Sequence, residues 1–323
     1  MMAFMSGFSW GNEALDRQLG IVRDFLDVEA QRAQDYVSFE ISRVLESKGK
    51  LLRPALVLLS CRLGNKSVMD AIELAVAMEM IHLATLIHDD VIDGALSRRG
   101  GPTLHVKVGE SRAVLAGDWL LARALSIAGR RHDSELFLFL NERIEELCRA
   151  EIRQDASSGR LVVSRKEYLN RVDGKAAALL RLSCRAGASV ADADIQILNA
   201  LDDWALIVGR AFQIDDDALD YYEQQDHWGI SADLRVGLST LPLIIAWESG
   251  DSKIRRLTRN GMPTSPRKCR QIRRRVIELG AVELARKEAA ALYQKAREQA
   301  LLLPSTGPED FGNIIYRLMN RNF

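Results

Sequence analysis

Ile81-His82-Leu83-Ala84-Thr85-Leu86-Ile87-His88-Asp89-Asp90-Val91-Ile92-Asp93 is an apolar, helix-compatible run that ends in three carboxylates, with Arg98-Arg99 just behind it. On a helix, positions four apart share a face, so Asp89 and Asp93 point the same way with Asp90 beside them. Three like charges in one turn are destabilising unless something positive sits among them. A divalent cation answers that need, and all-oxygen ligands favour Mg²⁺ over zinc. A solvated acidic helix end explains a single cluster equally well.

A second copy breaks the tie. Phe212-Gln213-Ile214-Asp215-Asp216-Asp217-Ala218-Leu219-Asp220 repeats the Asp-Asp-x-x-Asp spacing, again on an apolar helical background. Two such clusters far apart in sequence, each among core-like residues, are hard to explain as surface decoration. Facing each other across a cavity, they would hold several Mg²⁺ ions and a diphosphate. With that pair in view the chain resembles the trans-isoprenyl diphosphate synthases (polyprenyl synthetases), which carry two aspartate-rich motifs of this form. The resemblance implies that Asp89, Asp90, Asp93, Asp216, Asp217 and Asp220 are catalytic metal ligands, for three Mg²⁺ ions per active site.

Other stretches carry the same resemblance. Gly49-Lys50-Leu51-Leu52-Arg53-Pro54 opens a very apolar helix. Proline suits a first helical turn, and the N–H groups there suit an anion. Lys50 and Arg53 add charge, although solvated basic residues are common at such a place. In the family this motif binds isopentenyl diphosphate, and the matching histidine, His82, joins that site; read alone, His82 is a hydrogen-bonded core residue. Ser97-Arg98-Arg99-Gly100-Gly101-Pro102-Thr103-Leu104-His105 matches the family's paired-arginine loop, and a guanidinium fork grips phosphate oxygens bidentately. By resemblance Arg98 and Lys175 serve the allylic diphosphate, Arg99 the isopentenyl one, and Gln213 belongs to the substrate-binding set. Three positions depart from the family pattern: Ala176 replaces threonine, and Ile230 and Leu238 replace lysines. All three fall on the allylic side or its covering loop, which predicts weakened primer binding and retained activity.

The 323 residues are 47% hydrophobic but only 6% aromatic, so Leu, Ala, Ile and Val do most of the packing, as suits helices. Lys plus Arg and Asp plus Glu balance at 44 each, which argues against a nucleic-acid partner. Cys61, Cys148, Cys184 and Cys269 stand singly, as reduced thiols of a cytoplasmic protein do. The N-terminus has no signal-peptide pattern, and no apolar run approaches the roughly 18–20 residues that span a bilayer. Strand signals are nearly absent, with only Leu161-Val162-Val163 suggestive. Helical segments without internal repeats predict one all-α domain over residues 1–323, an orthogonal bundle with a central active-site cavity. Residues 12–47, 55–63, 111–130, 134–156, 268–279 and 281–301 read as helical. Residues 250–275 read as a solvated basic connector, and Asp118 as a satisfied buried polar group.

The reaction so implied is the Mg²⁺-dependent head-to-tail (1'-4) condensation of isopentenyl diphosphate with an allylic diphosphate. Ala84 and Thr85, one turn before Asp89, are small, which implies an open path for the growing tail and a geranylgeranyl or longer product. A homodimer is implied, with membrane contact transient and confined to product release. A class I terpene cyclase has no use for the Lys50, Arg53 and Arg99 set. A non-catalytic subunit supporting a partner synthase is the rival from another class, kept open by Ile230 and Leu238.

Overall fold

The computed structural model describes residues 9–32, 44, 49–98, 101–131, 133–222, 232–263, 265–304 and 307–320. Their helices, in order, are α1 (Glu13–Arg32), α2 (Leu52–Cys61), α3 (Ile72–Ile92), α4 (Leu104–Val108), α5 (Glu110–Gly129), α6 (Ser134–Ser157), α7 (Arg165–Val172), α8 (Ala178–Val190) and α9 (Ile195–Leu219). There follow α10 (Ala232–Arg235), α11 (Leu241–Glu248), α12 (Ser252–Leu257), α13 (Pro266–Glu278), α14 (Ala281–Ala300) and α15 (Gly307–Met319). A 3₁₀ turn (Val68–Ala71) leads into α3, and a π-helical turn (Asp173–Ala177) joins α7 to α8. Among the described residues the only strands are β1 (Ser97–Arg98) and β2 (Gly101–Pro102), an antiparallel hairpin. The all-α expectation holds.

The chain groups into two compact units, each built from separated stretches. Met1–Leu140, Leu179–Asp202 and Ala300–Arg317 form the first; Asn141–Ala178, Asp203–Gln299 and Leu318–Phe323 form the second.

In the first unit α3 is apolar on nearly every face, and helices of that kind are buried. It packs chiefly on α5, then on α2 and α1. Val68–Ile92 is long and apolar enough to cross a membrane, yet 72% of its most apolar stretch is buried inside the protein. This corrects the expectation that no stretch approaches spanning length: Glu73, Glu79 and His82 interrupt the apolar run without making the helix polar. Every α2 residue but Arg53 is buried. Arg123 of α5 forks Glu29 of α1 at 2.6 and 2.8 Å, a charge-assisted pair that holds α5 in place.

In the second unit Tyr168, Val172, Ile214, Ala218 and Tyr221 share one apolar cluster with α11 and with the inward face of α13. That face is Cys269, Ile272 and Val276, while the arginines of α13 point outward or sit half-buried. Two expectations fail here. Leu161-Val162-Val163 is not a strand: the Val162 N–H donates to the Ser239 hydroxyl at 3.1 Å, and among the described residues no second strand lies beside it. The stretch 250–275 is not mere connector: beside the expected helix over 268–279, which stands as α13, it holds α12, tied to α13 by the Arg275–Asp251 pair at 2.6 Å.

Candidate active site

The first aspartate cluster stands where α3 ends. The Asp93 N–H bonds the Asp89 carbonyl at 2.8 Å, and Gly94, at φ +58°, turns the chain through the left-handed region that favours glycine. Asp89 is half-buried and Asp93 exposed, whereas Asp90 is 6% exposed. The hairpin brings Arg98 back onto Asp90: Nε and Nη2 reach the same carboxylate oxygen at 2.8 and 2.7 Å. Thr103 braces the return, donating its hydroxyl to the Ala95 carbonyl at 2.7 Å. Two expected site residues therefore meet each other, and Asp93 is the solvent-facing acid of the cluster.

Behind the cluster, the His88 ring lies against α5, with Nε2 3.2 Å from the Val114 carbonyl and 3.4 Å from the Asp118 carboxylate. A Cβ at position 117 would stand 2.2 Å from that nitrogen, so the ring keeps this seat only beside glycine. Asp118 is 60% exposed, which corrects its reading as a buried group; it sits at the surface end of this contact. His82 and Thr85 are half-buried, and the Thr85 hydroxyl donates to the His82 carbonyl at 2.7 Å. Ala84 is fully buried, so of the two chain-length positions Thr85 is the more open. Lys50 and half-buried Arg53 flank the start of α2. Arg99 and Ile230 lie outside the described residues.

The second cluster differs in its third acid and in the partners of its buried one. Asp216 and Asp220 are half-buried, and Asp217 is 5% exposed. Both Asp217 oxygens are occupied: Tyr168 donates to one at 2.7 Å and Gln213 to the other at 2.6 Å. Desolvation nevertheless pushes the Asp217 carboxyl up to about 6 against these donors and the nearby Arg171. Asp233, which the sequence reading passed over, belongs here too. Its N–H donates to the Asp220 carboxylate at 3.2 Å. Desolvation first, then the charges of Asp220 and Asp217, hold its carboxyl well above the usual range. Arg171 lies 5.4 Å over the Tyr168 ring and donates to the Ser239 carbonyl at 2.9 Å. Lys175, in the π-helical turn, pairs with Glu151 at 2.8 Å, and Ala176 beside it is half-buried. Leu238 is buried, its N–H bonded to the Asp233 carbonyl. Tyr168 was findable in principle, because a buried phenol needs an acceptor, whereas nothing in Ala232-Asp233-Leu234-Arg235 marks Asp233 as desolvated.

Among the described residues no three His, Cys, Asp or Glu side chains close on one metal-sized point. The donor set still fits Mg²⁺, which keeps much of its shell as water and substrate phosphate and takes only one or two carboxylates. Asp89 and Asp93, on one face at the open end of α3, are such a pair. A recess of about 380 Å³ lined by Arg270, Arg273 and Arg274 lies on α13 and holds none of the expected site residues.

A family model described as "Polyprenyl synthetase" matches residues 35–278. The chain is 31% identical over 305 residues to the "Heptaprenyl diphosphate synthase component 2" of Bacillus subtilis, covering 94% of this chain and 86% of that one. It is 32% identical over 288 residues to the "Nonaprenyl diphosphate synthase" of Mycobacterium tuberculosis, covering 88% and 86%. Among solved structures, the heptaprenyl diphosphate synthase of Staphylococcus aureus superposes with a TM-score of 0.88 at 28% identity, covering 96% and 99%. The polyprenyl synthase of Caulobacter crescentus, complexed with calcium and isoprenyl diphosphate, gives 0.86 at 29% identity, covering 96% of each chain.

Proposed function

Because the chain belongs to the polyprenyl synthetase family, we propose that it is a trans-prenyltransferase joining isopentenyl diphosphate to an allylic diphosphate, with a medium- or long-chain polyprenyl diphosphate as product. The two Asp-Asp-x-x-Asp runs, each at the C-terminal end of an apolar helix, carry this reading. Asp89, Asp90, Asp93, Asp216, Asp217 and Asp220 would hold Mg²⁺, three ions per site, with Asp90 oriented by Arg98 and Asp217 by Tyr168 and Gln213. Bound Mg²⁺ supplies Lewis-acid neutralisation of the allylic diphosphate, making it a leaving group. Lys50, Arg53, His82 and Arg99 take the isopentenyl diphosphate, and Arg98 and Lys175 the allylic one. The allylic C–O bond breaks to release diphosphate, the double bond of isopentenyl diphosphate attacks the carbocation left behind, and the released diphosphate takes the proton whose loss forms the new double bond. No side-chain nucleophile is needed; the protein's work is positioning, charge stabilisation and exclusion of water.

Both units serve this reaction as one catalytic domain. The enzyme works in the cytoplasm as a homodimer, touching a membrane only to release product. Four free cysteines support the reducing compartment. The name "component 2" borne by the Bacillus relative supports a two-component assembly instead, and light scattering of the purified chain with activity assayed alone separates the two. The deciding experiment incubates the protein with radiolabelled isopentenyl diphosphate, Mg²⁺ and each allylic primer in turn. Chain-elongated product from the protein alone is expected; none with any primer would leave the supporting-subunit role.

A further inference from the structure

The turn that opens α2 is held in an unusual backbone conformation. Leu51 sits at φ +52°, ψ +44°, in the left-handed region that a leucine keeps only where its surroundings enforce it. The carbonyls just before it are both held by distant side chains. Trp10 donates its indole N–H to the Lys50 carbonyl at 2.9 Å, and Arg23 reaches the Gly49 carbonyl at 3.3 Å. Trp10 is 2% exposed, and a buried indole N–H needs such an acceptor.

Trp10 is itself well anchored. Its backbone N–H donates to the Asp16 carboxylate at 3.1 Å, and Asn12, two residues on, donates to Asp310 at 3.0 Å. Asp310, 6% exposed, pairs with Arg62 at 3.1 Å, and Arg62 is the C-cap of α2. The N-terminal segment thus grips α2 at both ends. Trp10 and Arg23 lie outside residues 35–278, the stretch the family model matches.

We infer that Trp10 is a positioning residue for isopentenyl diphosphate, its indole holding the Lys50 carbonyl and so the turn from which Lys50 and Arg53 are presented. This rests on the assignment of those two cations to that substrate. Without the donor the turn samples more conformations, and the two charges must be ordered on binding. The loss falls on capture of one substrate and leaves the chemistry in place.

The test uses the full-length chain and Trp10→Phe, which keeps an aromatic ring and removes the N–H. Arg23→Met, which removes the other donor, runs in parallel, and Arg53→Ala is the reference. Each substrate is titrated at saturation of the other, and thermal melts are recorded. Trp10→Phe should raise KM for isopentenyl diphosphate about five- to tenfold, the size of one lost hydrogen bond. KM for the primer, kcat and the Mg²⁺ requirement should stay within about twofold of wild type on the same grounds. An unchanged KM for isopentenyl diphosphate, beside a raised one in Arg53→Ala, overturns the role of Trp10 and leaves the site assignment standing. A parallel loss of affinity for both substrates with a lowered melting temperature also overturns it, as the mark of a purely structural residue. No effect in Arg53→Ala overturns the assignment and the inference with it. If Trp10→Phe does not fold, Arg23→Met decides, with the same KM split expected and an unsplit or absent effect overturning.

Discussion

The two aspartate clusters have the same spacing but differ in the exposure of the third acid and in the partners of the buried one. The first ends α3 with Asp93 exposed, Asp89 half-buried and Asp90 withdrawn under Arg98. The second ends α9 in a desolvated network, with Asp217 bonded on both oxygens and Asp233 added from outside the motif. Open carboxylates exchange ligands easily, whereas a desolvated carboxylate is costly to disturb once its partners are set. The first cluster is therefore tuned by what it binds, the second by what already surrounds it.

The comparison is tested hardest where both clusters should fail alike. Asp89→Ala and Asp216→Ala should each lower turnover by at least about a hundredfold, since even outer partners of a metal site cost 10–100-fold. Turnover at saturating Mg²⁺ checks this, and near-wild-type activity in either variant would break the idea that both clusters act in one step.

The partners should not be equivalent. Tyr168→Phe strips a donor from the buried Asp217 and should cost about 10–100-fold in activity, with a clear drop in melting temperature. Arg98→Met disturbs a partner that is itself 41% exposed and should lower the melting temperature less. Melting curves of the two variants side by side settle the ranking, and the reverse order would erase the distinction between clusters.

A third test concerns only the helix of the first cluster. Thr85→Phe places a ring one turn before Asp89, on the more open of the two small positions. The product should shorten by one or more isoprene units while the first condensation continues, as chromatography of the products would reveal. An unchanged chain length in a folded variant means that the tail does not pass this turn.

The smallest effect lies in the first unit, where α1 meets α5. Arg123 bonding, outweighing desolvation, holds the Glu29 carboxyl below its ordinary 4.5. A depressed pKa contributes stability that is present above the unfolded value and is lost as pH falls through the folded one. Glu29→Gln should thus melt about 2 °C below wild type near neutral pH, with the gap closing below pH 4.5. A gap that widens on acidification would reverse the sign. Asp217 and Asp233 are shifted the other way, upward, because desolvation outweighs their partners.

Much of the molecule was legible in the chain. Periodic apolar residues announced the helices, and the Asp-Asp-x-x-Asp spacing placed two acids of each cluster on one helix face. Gly94 marked the end of α3, and Pro54 the opening of α2. Each of these is local, set within a few residues by backbone geometry and side-chain period. What the chain order alone left undecided is which acids meet water. Asp93 and Asp220 hold the same place in the same motif, yet one is exposed and the other half-buried beside Asp233. Tyr168 reaches Asp217 from 49 positions away, and Trp10 reaches Lys50 from 40. Desolvation and hydrogen-bond partners of this kind depend on which distant surfaces pack together, and only the tertiary structure decides that.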